Sequence, residues 1–90
     1  MTTSFTLDQA SIFLTGGTGS FGKAFVRQVV ETASPRRLVI FSRDELKQFE
    51  MAQEFPESRY PFLRYFIGDV RDGERVRRAM EGTDTVIHAA

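Results

Sequence analysis

The residues with the clearest chemical capacity form one glycine-rich run, Thr15-Gly16-Gly17-Thr18-Gly19-Ser20-Phe21-Gly22. Gly16, Gly19 and Gly22 repeat in a T-G-x-x-G-x-x-G spacing between an apolar segment and an amphipathic one, the setting of a strand-to-helix turn. There, Gly16 permits the tight turn, Gly19 removes a Cβ so that backbone can approach a pyrophosphate, and Gly22 lets the helix pack closely on the sheet. The helix N-terminus offers unpaired N–H groups and a positive dipole end to the phosphates. Thr18 and Ser20 add hydroxyl donors. The plain alternative is a glycine-rich turn without a ligand. A Walker-type phosphate loop does not fit, because Gly22-Lys23 is followed by Ala24 where that loop needs Ser or Thr.

A second group lies where a dinucleotide site discriminates between cofactors, about 20 residues past the loop. Here stand Ser42, Arg43 and Asp44, with Lys47 a turn further on. A guanidinium pairs bidentately with a 2′-phosphate, so Arg43 favours NADP. Asp44 keeps NAD open. Ser42 and Glu45 also have capping-box spacing for the next helix. Further on, Gly68-Asp69-Val70 follows an apolar run. Asp69 suits an adenine amino group and Val70 the ring, with a simple turn acceptor as the alternative for Asp69. Asp72 reads as a helix cap. His88 reads as a structural hydrogen-bonding residue, without a partner placed to activate it. Arg75, Arg77 and Arg78 read as a solvated helix face.

The elements that must position these residues alternate. Ile12-Phe13-Leu14, Leu38 to Phe41, Leu63 to Ile67 and Val86-Ile87 are short apolar runs, mostly contiguous, as in strands buried on both faces. Between them lie apolar stripes at helical spacing: Phe21, Ala24, Phe25, Gln28 and Val29; then Leu46, Phe49 and Ala52; then Val76, Ala79 and Met80, with Gly82 at a left-handed C-terminal position. The order βαβαβαβ predicts an α/β fold, the N-terminal portion of a doubly wound, Rossmann-type parallel sheet. Residues 1–10 read as a lead-in and 11–90 as the NADP-binding portion.

Composition excludes other classes. In 90 residues, twelve basic and twelve acidic side chains cancel, which argues against a nucleic-acid footprint. There is no cysteine, so disulfides, thiolate metal sites and a cysteine nucleophile are excluded. No apolar stretch approaches the roughly twenty residues of a membrane span, and no secretory leader pattern opens the chain, so a cytoplasmic protein is expected.

The segments Thr15–Lys23, Phe41–Lys47, Phe66–Asp72 and His88–Ala90 together carry a family resemblance. The chain resembles the extended short-chain dehydrogenase/reductase superfamily, and more narrowly the inverting UDP-N-acetylglucosamine 4,6-dehydratases of bacterial polysaccharide and flagellin-glycan biosynthesis. The resemblance implies NADP held by Thr18, Gly19, Ser20 and Phe21 at the loop. It places Ser42, Arg43, Asp44 and Lys47 around the 2′-phosphate and adenosine, Asp69 and Val70 at the adenine, and Ala89 beside the cofactor. It implies hydride removal from sugar C4, loss of water across C5 and C6, and hydride return to C6. It also implies a nucleotide-sugar substrate and a homo-oligomeric parent protein, with no metal.

That family uses a Tyr-x-x-x-Lys pair and an acid/base Asp-Lys pair. Here Tyr60 is followed four residues later by Arg64, and Tyr65 by Asp69. No catalytic residue is therefore assigned. The expectation is an N-terminal fragment, inactive alone. The alternatives are a standalone NADP-binding module, or part of a related nucleotide-sugar epimerase or reductase.

Overall fold

The computed structural model describes residues 7–16 and 18–88. They form β1 (Ser11–Thr15), α1 (Ser20–Thr32), β2 (Arg37–Ser42), α2 (Glu45–Glu54), β3 (Leu63–Ile67), α3 (Gly73–Ala79) and β4 (Thr85–His88). The strands make one parallel sheet in the order β3-β2-β1-β4. The chain thus steps outward from β1 through β2 to β3, then returns past β1 to lay down β4. This reversal creates a switch point between β1 and β4, where α/β sheets bind ligands beyond the strands' carboxyl ends.

Strand alternation explains why these runs are apolar throughout. Ile12, Leu14, Leu38, Ile40 and Leu63 point to one face, where Val26 and Val29 of α1 and Met51 of α2 cover them. Phe13, Val39 and Phe41 point to the other, where Ala79 of α3 packs with Val76 and Met80 beside it. A strand covered on both sides has no polar face to show. Leu7 and Ala10 also pack on the first cluster, and the Gln9 N–H bonds the Ser34 carbonyl at 2.9 Å. The segment ahead of β1 is thereby tied to the end of α1.

Two helices present a different face from the expected stripe. In α1 the buried residues are Gly22, Val26 and Val29, with Phe25 and Val30 at the margin, whereas Phe21 is 58% exposed and Ala24 and Gln28 face solvent. The spacing is that of the sequence reading, moved by one residue. Gly22 is buried on this face, in keeping with a glycine that lets the helix pack close to the sheet. In α2, Leu46 and Phe49 are 66% and 64% exposed, while Gln48 and Met51 are buried. The Gln48 amide explains this orientation. Its Nε2 donates toward the carbonyls of Ile40 (3.4 Å), Ser42 (3.3 Å) and Phe66 (3.0 Å). A buried amide with partners is tolerated where an unpaired one is costly, and this one ties α2 to the tips of β2 and β3. The α3 stripe stands as expected. Gly82 adopts φ +78°, two residues past the cap Met80.

Candidate functional site

The site is built at the carboxyl ends of the strands. Gly16 takes φ +67° directly after β1, and its N–H bonds the Phe41 carbonyl at 3.2 Å. The loop closes with the Gly19 N–H on the Gly16 carbonyl, also 3.2 Å. Gly19 is the N-cap of α1 but supplies no side-chain bond, and the first turn has no acidic residue. The other two helices differ. The Asp44 carboxylate accepts the Lys47 N–H, the Asp72 carboxylate accepts the Arg75 N–H, and Glu45 and Glu74 sit in the respective first turns. Among the described residues, the start of α1 thus has neither a side-chain cap nor an acidic residue in its first turn to meet its N–H groups and positive end. The cap of α2 is thus Asp44, not Ser42 as a capping box would have it.

The Ser42 hydroxyl is used otherwise. Its Oγ accepts the Asp44 N–H at 3.1 Å and lies 3.1 Å from Thr18 Oγ1. Ser42 and Thr18 are both buried, so this contact fastens the glycine loop to the tip of β2. Ser42 lines a hollow of about 470 Å³ together with Gly16, Arg43, Asp69 and Val70. Thr18, Gly19, Ser20 and Lys47 line a smaller one of about 150 Å³, with Lys23 and Glu50. Nine of the thirteen expected residues line these two hollows. Phe21 lies in the first turn of α1 and stacks on Phe25, Gly22 is buried, and Asp44 caps α2. Ala89, like Gly17 of the loop, lies outside the described residues.

Other wall residues were not expected from sequence. Phe41 and Arg71 line the larger hollow, as do Thr15 and His88, whose Oγ1 and Nδ1 are hydrogen-bonded. Phe41 lies between Phe13 and Phe66, with ring centroids 5.4 and 5.9 Å away. Asp69 holds two arginines: Arg71 NH2 at 2.8 Å and Arg43 NH1 at 3.4 Å. Hydrogen bonds from the Arg71 side chain and backbone N–H, aided by the charges of Arg71 and Arg43 and opposed by desolvation, hold the Asp69 carboxyl well below the usual carboxylate range. It is therefore ionised at neutral pH. Arg75 departs from the solvated face expected of it. Its Nε donates to the Ile67 carbonyl at 2.7 Å, and its guanidinium lies 4.5 Å over the Phe66 ring. Tyr65 points away from phenol chemistry: burial, with Glu57 and Glu54 adding, pushes its pKa up, and its hydroxyl donates to the Phe55 carbonyl at 2.6 Å.

This arrangement matches known proteins. Residues 12–90 match the family described as polysaccharide biosynthesis protein. The chain belongs to that family. The chain is 54% identical over 83 residues to the UDP-N-acetylglucosamine 4,6-dehydratase (inverting) of Campylobacter jejuni subsp. jejuni serotype O:2, covering 92% of this chain and 24% of that enzyme. It is 42% identical over 83 residues to the UDP-glucose 4-epimerase of Rickettsia canadensis, covering 89% and 24%. The X-ray structure of Pen from Bacillus thuringiensis superposes with a TM-score of 0.85 at 36% identity, covering 96% of this chain and 27% of that one. The chain spans about a quarter of the length of the curated relatives it matches. The family match agrees with the Rossmann-type sheet and its glycine loop. Among the described residues no helix is long and apolar enough to cross a membrane.

Proposed function

We propose that the chain is the NADP-binding N-terminal part of an inverting UDP-N-acetylglucosamine 4,6-dehydratase. The observation that carries the dinucleotide reading is the start of α1. Its N-terminus has no side-chain cap, and among the described residues, its chain neighbours aside, a Cβ built on Gly19 meets nothing closer than the Gly16 carbonyl oxygen at 3.6 Å. Folding therefore leaves room for a side chain at Gly19, and the absence of one opens the loop backbone to a pyrophosphate. The residues present fit the cofactor. The N–H groups at Gly19–Phe21 would meet its phosphates, Arg43 and Lys47 would offer cations to a 2′-phosphate, and Asp69 and Val70 would hold the adenine.

The bound nicotinamide would supply hydride exchange with the sugar. The residues of this chain bind and orient, and in this reading they do not themselves transfer protons, because neither tyrosine has a lysine four residues on. The chain alone is accordingly inactive. The whole protein acts in the cytoplasm as a homo-oligomer on a nucleotide sugar, without nucleic acid or membrane. The 54% identity to the Campylobacter jejuni dehydratase favours this substrate class. The 42% identity to an epimerase supports a second reading, in which the same cofactor half serves sugar epimerisation.

Titration tests the proposal. The chain lacks tryptophan, so the fluorescence of the reduced nicotinamide reports binding directly. NADPH is expected to bind at least about tenfold more tightly than NADH, and Arg43→Ala to erase that preference. Saturable binding of neither cofactor, or a preference for NADH, would overturn it.

A further inference from the structure

We propose that Arg71 is a specificity-determining residue: it holds Asp69 so that Arg43 is free to take the 2′-phosphate. The inference rests on the NADP reading above. The two arginines grip the same carboxylate very differently. Arg71 donates from NH2 to Oδ2 at 2.8 Å and from Nε to Oδ1 at 3.2 Å, a forked contact, and its backbone N–H adds a third bond to Oδ1 at 2.9 Å. Arg43 makes a single contact, NH1 to Oδ2 at 3.4 Å, with a side chain 74% exposed. Bidentate, shorter contacts are the stronger ones. Arg43 is thus the partner that leaves when a better anion arrives, and Arg71 is the one that stays.

The charges at the rim of the larger hollow give the same answer. Asp69, Arg43 and Arg71 all line it. One carboxylate between two guanidinium groups leaves a net positive rim, which attracts a phosphate. Without the Arg71 side chain the rim would be neutral. Asp69 would then compete with the 2′-phosphate for Arg43 and repel it at close range. The exchange also vacates the Oδ2 position held by Arg43, so the same carboxylate oxygen becomes available to an exocyclic amino group of the base. Arg71 in this account touches Asp69 rather than the cofactor, which makes it a positioning residue for Arg43.

The test uses Arg71→Ala, Asp69→Asn and the double variant, titrated with NADPH and with NADH. Arg71→Ala removes the fork but keeps the backbone bond to Oδ1, so the turn survives, and a thermal melt checks the fold. It is expected to weaken NADPH about tenfold and NADH less than about twofold. Adding Asp69→Asn removes the competing charge and should return the NADPH-to-NADH ratio to that of Asp69→Asn alone. Arg71→Ala weakening both cofactors equally, or leaving the ratio unchanged while the wild type prefers NADPH, overturns the inference. A wild type without NADPH preference overturns the NADP reading itself, and this inference with it.

Discussion

Replacing Gly19 with alanine is expected to lower NADPH affinity by about a hundredfold while moving the melting temperature by less than about 3 °C. The asymmetry follows from where the new methyl goes. Gly19 has φ −79° and ψ −178°, an extended conformation open to any residue. Among the described residues, its chain neighbours aside, the added Cβ touches the Gly16 carbonyl oxygen, at an ordinary 3.6 Å. Unfolded-state entropy favours alanine by about 0.4–1 kcal/mol, and the poorer standing of alanine at an N-cap offsets that gain, so little net change in stability is expected. What the methyl does occupy is the space in front of the first N–H groups of α1, where a pyrophosphate must come within hydrogen-bond distance. Titration of both proteins, with a thermal melt of each, reads the two effects apart. A variant that melts much earlier, or binds NADPH as the wild type does, would show that Gly19 serves the fold.

Gly68→Ala is expected to do the reverse, costing about 1–3 kcal/mol of folding stability through overpacking. A Cβ here would lie 2.7 Å from Phe41 Cζ and 2.9 Å from Arg75 Cγ. Neither neighbour yields easily. The Phe41 ring is fully buried between Phe13 and Phe66. The Arg75 stem is fixed beyond Cγ by its bond to the Ile67 carbonyl and its stacking on Phe66. In a domain of this size that loss corresponds to a fall of roughly 5–20 °C in melting temperature. Combining Gly68→Ala with Phe41→Leu should cost less than the sum of the two, since the shorter side chain vacates the ring position. Urea denaturation of the four proteins measures the coupling; strict additivity would mean that the methyl does not meet the ring. The two glycines look alike in sequence, each following a strand within a few residues. One is required by packing, the other is left free by it.

That contrast shows how much of the molecule can be read from the chain. The strands are legible because Ile12 to Leu14 and Leu38 to Phe41 are apolar without interruption, and only a doubly covered sheet buries both parities. The glycine loop is legible because its spacing falls between a strand and a helix. Helix faces are less so. Phe21 and Val26 are both apolar, and choosing between them requires knowing which face of α1 the sheet covers, the one that buries Gly22, Val26 and Val29. Leu46 and Phe49 attract attention over Gln48 because hydrophobicity cannot report three carbonyls waiting at the tips of β2 and β3. Asp44 displaces Ser42 as the cap because β2 runs through Ser42 and α2 begins only at Glu45, while the Ser42 hydroxyl meets Thr18, 24 residues earlier. Arg75 looks like a solvated residue until Phe66 and the end of β3 come beside it. Arg71 leaves only a faint signal, a cation two residues past Asp69. Its meaning depends on Arg43, which the sheet brings across from the neighbouring strand end.

The central claim is that the crevice beyond the strand ends, with the open start of α1, takes the dinucleotide. Backbone amide NMR of the isotopically labelled protein titrated with NADPH tests it most directly. The largest shifts are expected at Gly19–Gly22, Ser42–Arg43 and Asp69–Arg71, with the outer face of α2 at Leu46 and Phe49 unmoved. Saturable shifts centred on that outer face, or none at the glycine loop at NADPH concentrations that saturate binding, would contradict the account.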